Sequence, residues 1–259
     1  MNEPKWYDSA WLSAYYAAKD VITQVAPARL DEFVHSFDIL RTSASFEPRH
    51  LPGLLDASLV EQIRNAIRTI PKDMYELHEM KSFGRFIVHD WPEFTRLQHS
   101  LVDRVSDWAG EQVEPCYNFL SLYTKLGVCE PHLDAPSAKW TLDLCIDQSE
   151  IWPIHFSQIV AWPEERPNLP DDWREAIKTN KAFQFKSVEL TPGDAVLFSG
   201  SSQWHYRDAL SHGAGKHFCD LLFLHYVPAG ASKLIRAANW AELFGIPEIG
   251  EIPGIESAY

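Results

Sequence analysis

The stretch Tyr123-Thr-Lys-Leu-Gly-Val-Cys-Glu-Pro-His132-Leu-Asp134 sets an imidazole and a carboxylate two residues apart, just after a turn shaped by Gly127 and Pro131. Side chains at i and i+2 of an extended chain share a face, so His132 and Asp134 are able to grip one metal ion together. A third ligand is then required. Eleven histidines and 17 aspartates in 259 residues give about 0.7 His-x-Asp pairs by chance, so the pair alone carries little weight. What adds weight is a second histidine in Leu197-Phe-Ser-Gly-Ser-Ser-Gln-Trp-His205-Tyr-Arg-Asp208, where one strand ends, the chain turns and the next begins. Two histidines and a carboxylate on one side of a metal leave its other positions open. Taken singly, His132 and Asp134 read equally well as a hydrogen-bonded pair at a strand end, and His205 as a core histidine beside Trp204.

Working outward, the chain changes character near residue 112. Before it, Trp11, Leu12, Tyr15, Tyr16, Val21, Ile22 and Val25 recur at helical spacing. Ser58-Leu-Val-Glu61 fits a capping box ahead of the stripe Ile63, Ala66, Ile67, Ile70, which Pro71 stops. A third helix is expected over residues 92–109. After residue 112 come short β-rich runs, at 118–125, 140–146, 154–162, 183–190, 195–198 and 218–227, separated by Pro, Gly and Asp turns such as Thr191-Pro-Gly-Asp194. A final helix is expected near 234–244, ahead of a Pro- and Gly-rich tail. The pattern predicts an α+β protein: one domain over 1–259, with a mainly helical leading region (1–111), a β sandwich or barrel (112–228) and a C-terminal helix and tail (229–259), the helices packed on one sheet.

Composition narrows the partners. With 46% hydrophobic and 23% charged residues the chain reads as globular, and a formal charge of -13 repels a phosphate backbone, which argues against nucleic acid. The first residues lack the basic-then-apolar pattern of a secretory signal and no apolar run is long enough to span a membrane, so a cytoplasmic protein is expected. Cys116, Cys129, Cys145 and Cys219 show no CxxC or zinc-finger spacing, and most of them read as buried thiols.

In sequence order, Tyr123 on the leading strand, His132-x-Asp134, the Pro-Gly-Asp turn at 192–194 before an apolar strand, His205 seventy-three residues after His132, and a basic residue, Lys216, opening the last strand together resemble the Fe(II)- and 2-oxoglutarate-dependent dioxygenase superfamily, in particular its prolyl-hydroxylase-like branch. The resemblance covers about residues 115 to 228, with a fainter likeness in a leading strand and helix from about 46 to 70. It implies a double-stranded β-helix (jelly-roll) core, with His132, Asp134 and His205 as iron ligands and Lys216 as the cation for the distal carboxylate of 2-oxoglutarate. Tyr123, and less directly Thr141, would donate a hydroxyl to that cosubstrate. Arg207, two residues past His205, competes with Lys216, because its planar fork suits carboxylates better. His212, His217 and His225 compete with His205 as ligands; the first falls in a turn, and the other two share the strand parity opposite to Lys216.

The implied activity uses Fe(II), 2-oxoglutarate and O2 to hydroxylate a C–H bond of a small molecule, such as a free amino acid or a natural-product intermediate. Halogenases of this kind lack the ligating carboxylate, and Asp134 supplies one. Trp204 and Arg85 are expected substrate contacts, and the helical first third could supply a lid or a homodimer surface. Two other readings stay open: a cupin-like metalloprotein without 2-oxoglutarate, separated by whether Lys216 points into the metal cavity, and a non-enzymatic ligand-binding barrel.

Overall fold

The computed structural model describes residues 9–162, 172–210 and 215–258. Its centre is a sandwich of two antiparallel sheets. The strands are β1 Arg49–Leu51, β2 Arg85–His89, β3 Val113–Tyr123, β4 Cys129–His132, β5 Trp140–Gln148, β6 Ile154–Ile159, β7 Lys186–Val188, β8 Ala195–Phe198, β9 Gln203–Arg207 and β10 Cys219–Pro228. They form a major sheet in the order β1-β8-β5-β10-β3-β2 and a minor sheet in the order β4-β9-β6-β7.

Alternation along the major sheet sorts its side chains cleanly. Leu120, Leu142, Leu144, Leu197, Leu222, Leu224 and Tyr226 face outward, into a core shared with the helices α3 Ala57–Thr69, α4 Pro92–Ser100 and α5 Val102–Ala109. Tyr123, Cys145, Val196, Phe198, Leu221 and Phe223 face the minor sheet and pack on Trp152, Ile154 and Phe156. The helices therefore cover one sheet, as expected, and the space between the sheets remains for the site.

A second core closes the far side. Helices α1 Ser9–Val25 and α2 Leu30–Ser36 pack on the C-terminal segment, which contains α7 Trp240–Phe244, while α6 Trp173–Thr179 lies elsewhere, beside the minor sheet. Trp11 meets Trp240 edge-on at 5.5 Å and donates its indole N–H to the carbonyl of Ile235 at 2.9 Å. No described helix is long and apolar enough to cross a membrane.

Several local readings need correction. Helix α3 is capped by Asp56, whose Oδ1 accepts from the Leu59 amide at 2.8 Å, rather than by Ser58, which already lies inside the helix. The segment 92–109 is two helices broken at Leu101, each burying its own apolar side against the sheet. The expected helix at 234–244 reduces to a 3-10 turn and the five residues of α7, stopped by Gly245 at φ 61°. The strand at 183–190 shortens to three residues. Finally, the leading region supplies both edge strands of the major sheet: β1, the leading strand expected between 46 and 70, and β2, which its short length and polar residues hid.

The Thr191-Pro-Gly-Asp194 turn is built as its residues dictate. Gly193 sits at φ +98°, and a Cβ there would lie 2.7 Å from the Leu55 carbonyl oxygen. Asp194 accepts from the Thr191 amide at 2.8 Å and from the Gly53 amide at 2.8 Å, so the turn also latches the leading region.

A like-charge pair on the outer face of the major sheet gives a pH prediction. Asp220 stands directly across from Asp147, whose carboxylate Arg64 takes at 3.1 Å. Burial, and then Asp147, push the Asp220 carboxyl up to about 7. A carboxyl raised on folding favours the protonated native state, so stability is greatest below the unfolded value near pH 4 and falls as pH rises through 7. Asp220→Asn should therefore gain on the order of 1 to 3 kcal/mol over the wild type at pH 8, and nothing at pH 4. Thermal melts across that range test it; a gap that does not vary with pH would refute the assignment.

Candidate metal centre

His132 ends β4 and stands in register with His205 of β9, so the minor sheet's ladder brings the two rings to 4.2 Å between centroids. Asp134 follows two residues later, its amide tied to the Gly200 carbonyl at 2.8 Å. Asp134 Oδ1 lies 3.4 Å from His132 Nε2 and 3.7 Å from His205 Nε2. One ligand atom from each residue falls within 4.8 Å of the other two.

The rings are oriented alike. His132 Nδ1 donates to the Glu130 carbonyl at 2.8 Å and His205 Nδ1 to the Gln203 carbonyl at 2.9 Å. In each case the bond goes to the residue two positions back, which fixes the tautomer and leaves the Nε2 lone pair facing Asp134. The electrostatics fit a cation. His205 is pushed down to about 4, by burial and then by His132. Burial alone would raise the Asp134 carboxyl, yet His205 and His132 hold it well below the ordinary range. Despite burial, Cys129 and Asp134 lift His132. A divalent metal among these three groups would meet the carboxylate and displace any proton held on the rings.

Asp134 is set by two neighbours: Gly200, which no sequence signal singled out, and Thr141, expected there at the cosubstrate. A Cβ on Gly200 would overlap Asp134 Oδ2 and lie 2.6 Å from the Ala138 carbonyl and 2.9 Å from Thr141 Oγ1, so only glycine fits. Thr141 lies 3.4 Å from Asp134 Oδ2 and 3.0 Å from Nδ1 of His225, on the paired position of β10. Thr141 thus faces the site, in contact with Asp134 and His225.

Of the three basic candidates, Lys216 is the one outside. It is exposed beside Phe86, Leu122 and Lys125 on the outer surface, ahead of β10, which begins only at Cys219. Arg207 is buried and lines an inner chamber of about 60 Å³ together with Tyr123, Cys129, Thr141, the His132–Asp134–His205 trio and His225. Its guanidinium donates to Asp143 Oδ2 at 2.7 Å and to the Trp152 carbonyl. The second oxygen of Asp143 has no partner among the described residues, and burial, offset by Arg207, raises this carboxyl. Arg85 reaches in from β2, donating to the Tyr123 hydroxyl at 2.7 Å and pairing with Glu79. Burial pushes the Tyr123 phenol up, so its proton stays available to donate.

Trp204 is displaced from its expected place. As the neighbour of His205 on an extended strand it points the other way, into a side cluster with Leu133, Trp173 and Ile177. His217 pairs with Glu150 at 2.6 Å away from the site, and His212 lies outside the described residues. The inner chamber shares Arg85, Tyr117, Phe119, His132 and Asp134 with an outer cavity of about 540 Å³, whose further walls include Phe83, Glu79, Glu130, Trp173 and Arg174.

No family model matches the sequence, and no curated protein matches it. Solved structures do resemble it in fold. HygX from Streptomyces hygroscopicus, with nickel, 2-oxoglutarate and hygromycin B bound, superposes with a TM-score of 0.54 at 15% identity over 77% of this chain and 87% of that one. The non-haem α-ketoglutarate-dependent carbocyclase SnoK from nogalamycin biosynthesis gives 0.56 at 13% identity over 73% and 87%. The related epimerase SnoN gives 0.51 at 18% identity over 81% and 90%. The fold is thus that of 2-oxoglutarate-dependent non-haem iron enzymes, a jelly-roll core with flanking helices; these structures do not single out the prolyl-hydroxylase-like branch.

Proposed function

We propose that this protein is an Fe(II)- and 2-oxoglutarate-dependent oxygenase that oxidises a C–H bond of a small molecule. The carrying observation is the convergence of two Nε2 atoms and one carboxylate, each ring locked from behind, on a wall of the cavity between the sheets. That donor set, borderline nitrogen with hard oxygen and one side open, suits iron(II). His132, Asp134 and His205 would hold the metal. When bound, iron with 2-oxoglutarate and O2 supplies the oxidising chemistry, coupling decarboxylation of the cosubstrate to attack on a C–H bond.

The chain's own contribution is positioning and exclusion of water. Gly200 and Thr141 fix Asp134, and apolar Ile154, Phe198 and Phe223 line the inner chamber. With Lys216 outside, the distal carboxylate of 2-oxoglutarate falls to Arg207, which lines the inner chamber and not the outer cavity, with Tyr123 donating its hydroxyl beside it. Arg85 lines both chambers and so stands where the substrate arrives. A cupin-like role without cosubstrate would give the two guanidiniums, each already paired inside the protein, no anion to meet in the metal cavity.

The inner chamber has room for a carboxylate-sized group, which leaves the outer cavity for substrate. Its volume and its aromatic walls suit a compound of several rings better than a free amino acid. HygX holding hygromycin B, and SnoK and SnoN coming from nogalamycin biosynthesis, favour a natural-product intermediate. The free cysteines fit a reducing, cytosolic setting.

Anaerobic addition of Fe(II) and 2-oxoglutarate should produce a visible charge-transfer band, and admitting O2 should release succinate; iron binding without a band sinks the cosubstrate assignment. Arg207→Lys should raise the KM for 2-oxoglutarate about tenfold or more, since a point charge replaces a planar fork. An unchanged KM would move the role to Arg85.

A further inference from the structure

Among the described residues, His225 is the one histidine lining the inner chamber that neither the triad nor the cosubstrate uses. It is buried, lines the inner chamber, and interrupts the apolar run Leu221-Leu-Phe-Leu-His225-Tyr-Val. A neutral apolar residue would satisfy packing there at less cost.

The backbone around it is irregular in a way that serves its placement. On β10, Leu224 pairs with Asn118 and Tyr226 with Pro115, so His225 alone opposes Cys116 and Tyr117 of β3. This is a β-bulge, a device that re-aims side chains. The ladder bonds missing there are replaced from behind by Gln98, whose Nε2 donates to the Tyr117 carbonyl at 2.8 Å and to the His225 carbonyl at 2.7 Å. Asn118 in turn donates to Gln98 Oε1 at 3.0 Å. A fully buried amide thus pins the two backbone positions that carry Tyr117 and His225.

The ring is held as firmly. Tyr117 stacks on it at 4.2 Å with 23° between planes, and Phe119 flanks it at 5.4 Å. Nδ1 meets Thr141 Oγ1 at 3.0 Å, and Thr141 reaches Asp134 Oδ2. Nε2 is buried and has no hydrogen-bond partner among the described residues. The chain of bonds gives that nitrogen a sense. If the threonine hydroxyl donates to the carboxylate, the strongest acceptor in reach, its oxygen must accept from His225 Nδ1–H, and Nε2 is left as a bare acceptor. A buried acceptor without a donor is unfavourable, and the group that would relieve it is one that arrives with a ligand.

We propose that His225 is a specificity-determining residue of this site, accepting through Nε2 a hydrogen bond from a hydroxyl or amine of the substrate and so orienting it toward the metal. The assignment rests on the oxygenase reading above. It concerns a substrate contact: no proton is transferred and no bond is made or broken at His225. It also narrows the substrate class, to molecules that carry a hydrogen-bond donor next to the part lying against Tyr117 and Phe119.

The test uses the protein loaded with Zn(II) and 2-oxoglutarate and labelled with nitrogen-15 at histidine, with His225→Phe and His225→Asn assigning its signals in long-range proton–nitrogen spectra. The probes are phenol, which brings a donor on a ring matched to the aromatic wall, and anisole, the same ring without the donor. The expected result is an Nε2 signal of the unprotonated type that moves on saturation with phenol and not with anisole. An Nε2 that carries the proton, an equal response to both probes, or no response to either overturns the proposal. In turnover with Fe(II), any compound that stimulates succinate release through a hydroxyl should show a KM at least tenfold higher in His225→Phe, partly recovered in His225→Asn; an unchanged KM counts against it. The charge-transfer band of the wild type reports separately on the iron and cosubstrate reading, so the two are not confounded.

Discussion

Replacing His132 by alanine should abolish the Fe(II)–2-oxoglutarate charge-transfer band and cut succinate release by about three orders of magnitude or more, the effect of losing several kcal/mol of metal-based stabilisation. The fold should survive. His132 is the last residue of a four-residue strand and is partly exposed, and its ring bonds the main chain only two residues back, at the Glu130 carbonyl. Losing the charge-transfer band while keeping the melting profile within a few degrees is the expected pair of results. A variant that still gives the band with wild-type intensity would show that the metal is held elsewhere, with His132 as an ordinary hydrogen-bonded histidine.

Gly200→Ala should be nearly as damaging without touching a ligand. The new methyl would collide with Asp134 Oδ2 and crowd the Ala138 carbonyl and Thr141 Oγ1. Retreat is blocked, because the Gly200 carbonyl holds the Asp134 amide at 2.8 Å and the adjacent Ser199 amide is held by Gln203 at 3.0 Å. The side chain that yields is Asp134, and displacing a ligating carboxylate should lower metal affinity about 10- to 100-fold. Anaerobic Fe(II) titration measures it. Wild-type affinity in a folded Gly200→Ala protein would mean that Asp134 does not need this seat.

The site's outline was legible because it obeys short-range rules: His-x-Asp at strand spacing, and a second histidine at a strand after a turn. Its walls were harder, for physical reasons that differ by residue. Lys216 follows a connection whose length and path decide strand parity, and no local pattern counts parity across such a turn. Trp204 was readable, since alternation sends the neighbour of His205 to the opposite face; nearness in sequence stood in for nearness in space. Asp143 and His225 were signalled as polar residues inside apolar β runs, Trp140–Gln148 and Cys219–Pro228, where burial demands a partner. Gly200 gave no such signal, because what makes it necessary is a side chain sixty-six positions away. In the leading region, β2 was hidden by its own function: its inward face carries Arg85, so the strand lacks the hydrophobic alternation that would have announced it.

The pairing of His132 with His205 across β4 and β9 has one more consequence. Partners on adjacent antiparallel strands stand about 4.5 to 5.5 Å apart in any such sheet, a spacing set by main-chain hydrogen bonds that every residue type can make. The distance between the two donor nitrogens is therefore inherited from the peptide backbone, and the composition of the surrounding walls hardly enters it. Such a centre is modular: the lining of the outer cavity is free to be rewritten for a new molecule, one side chain at a time, while the atoms that would grip the metal stay where they are.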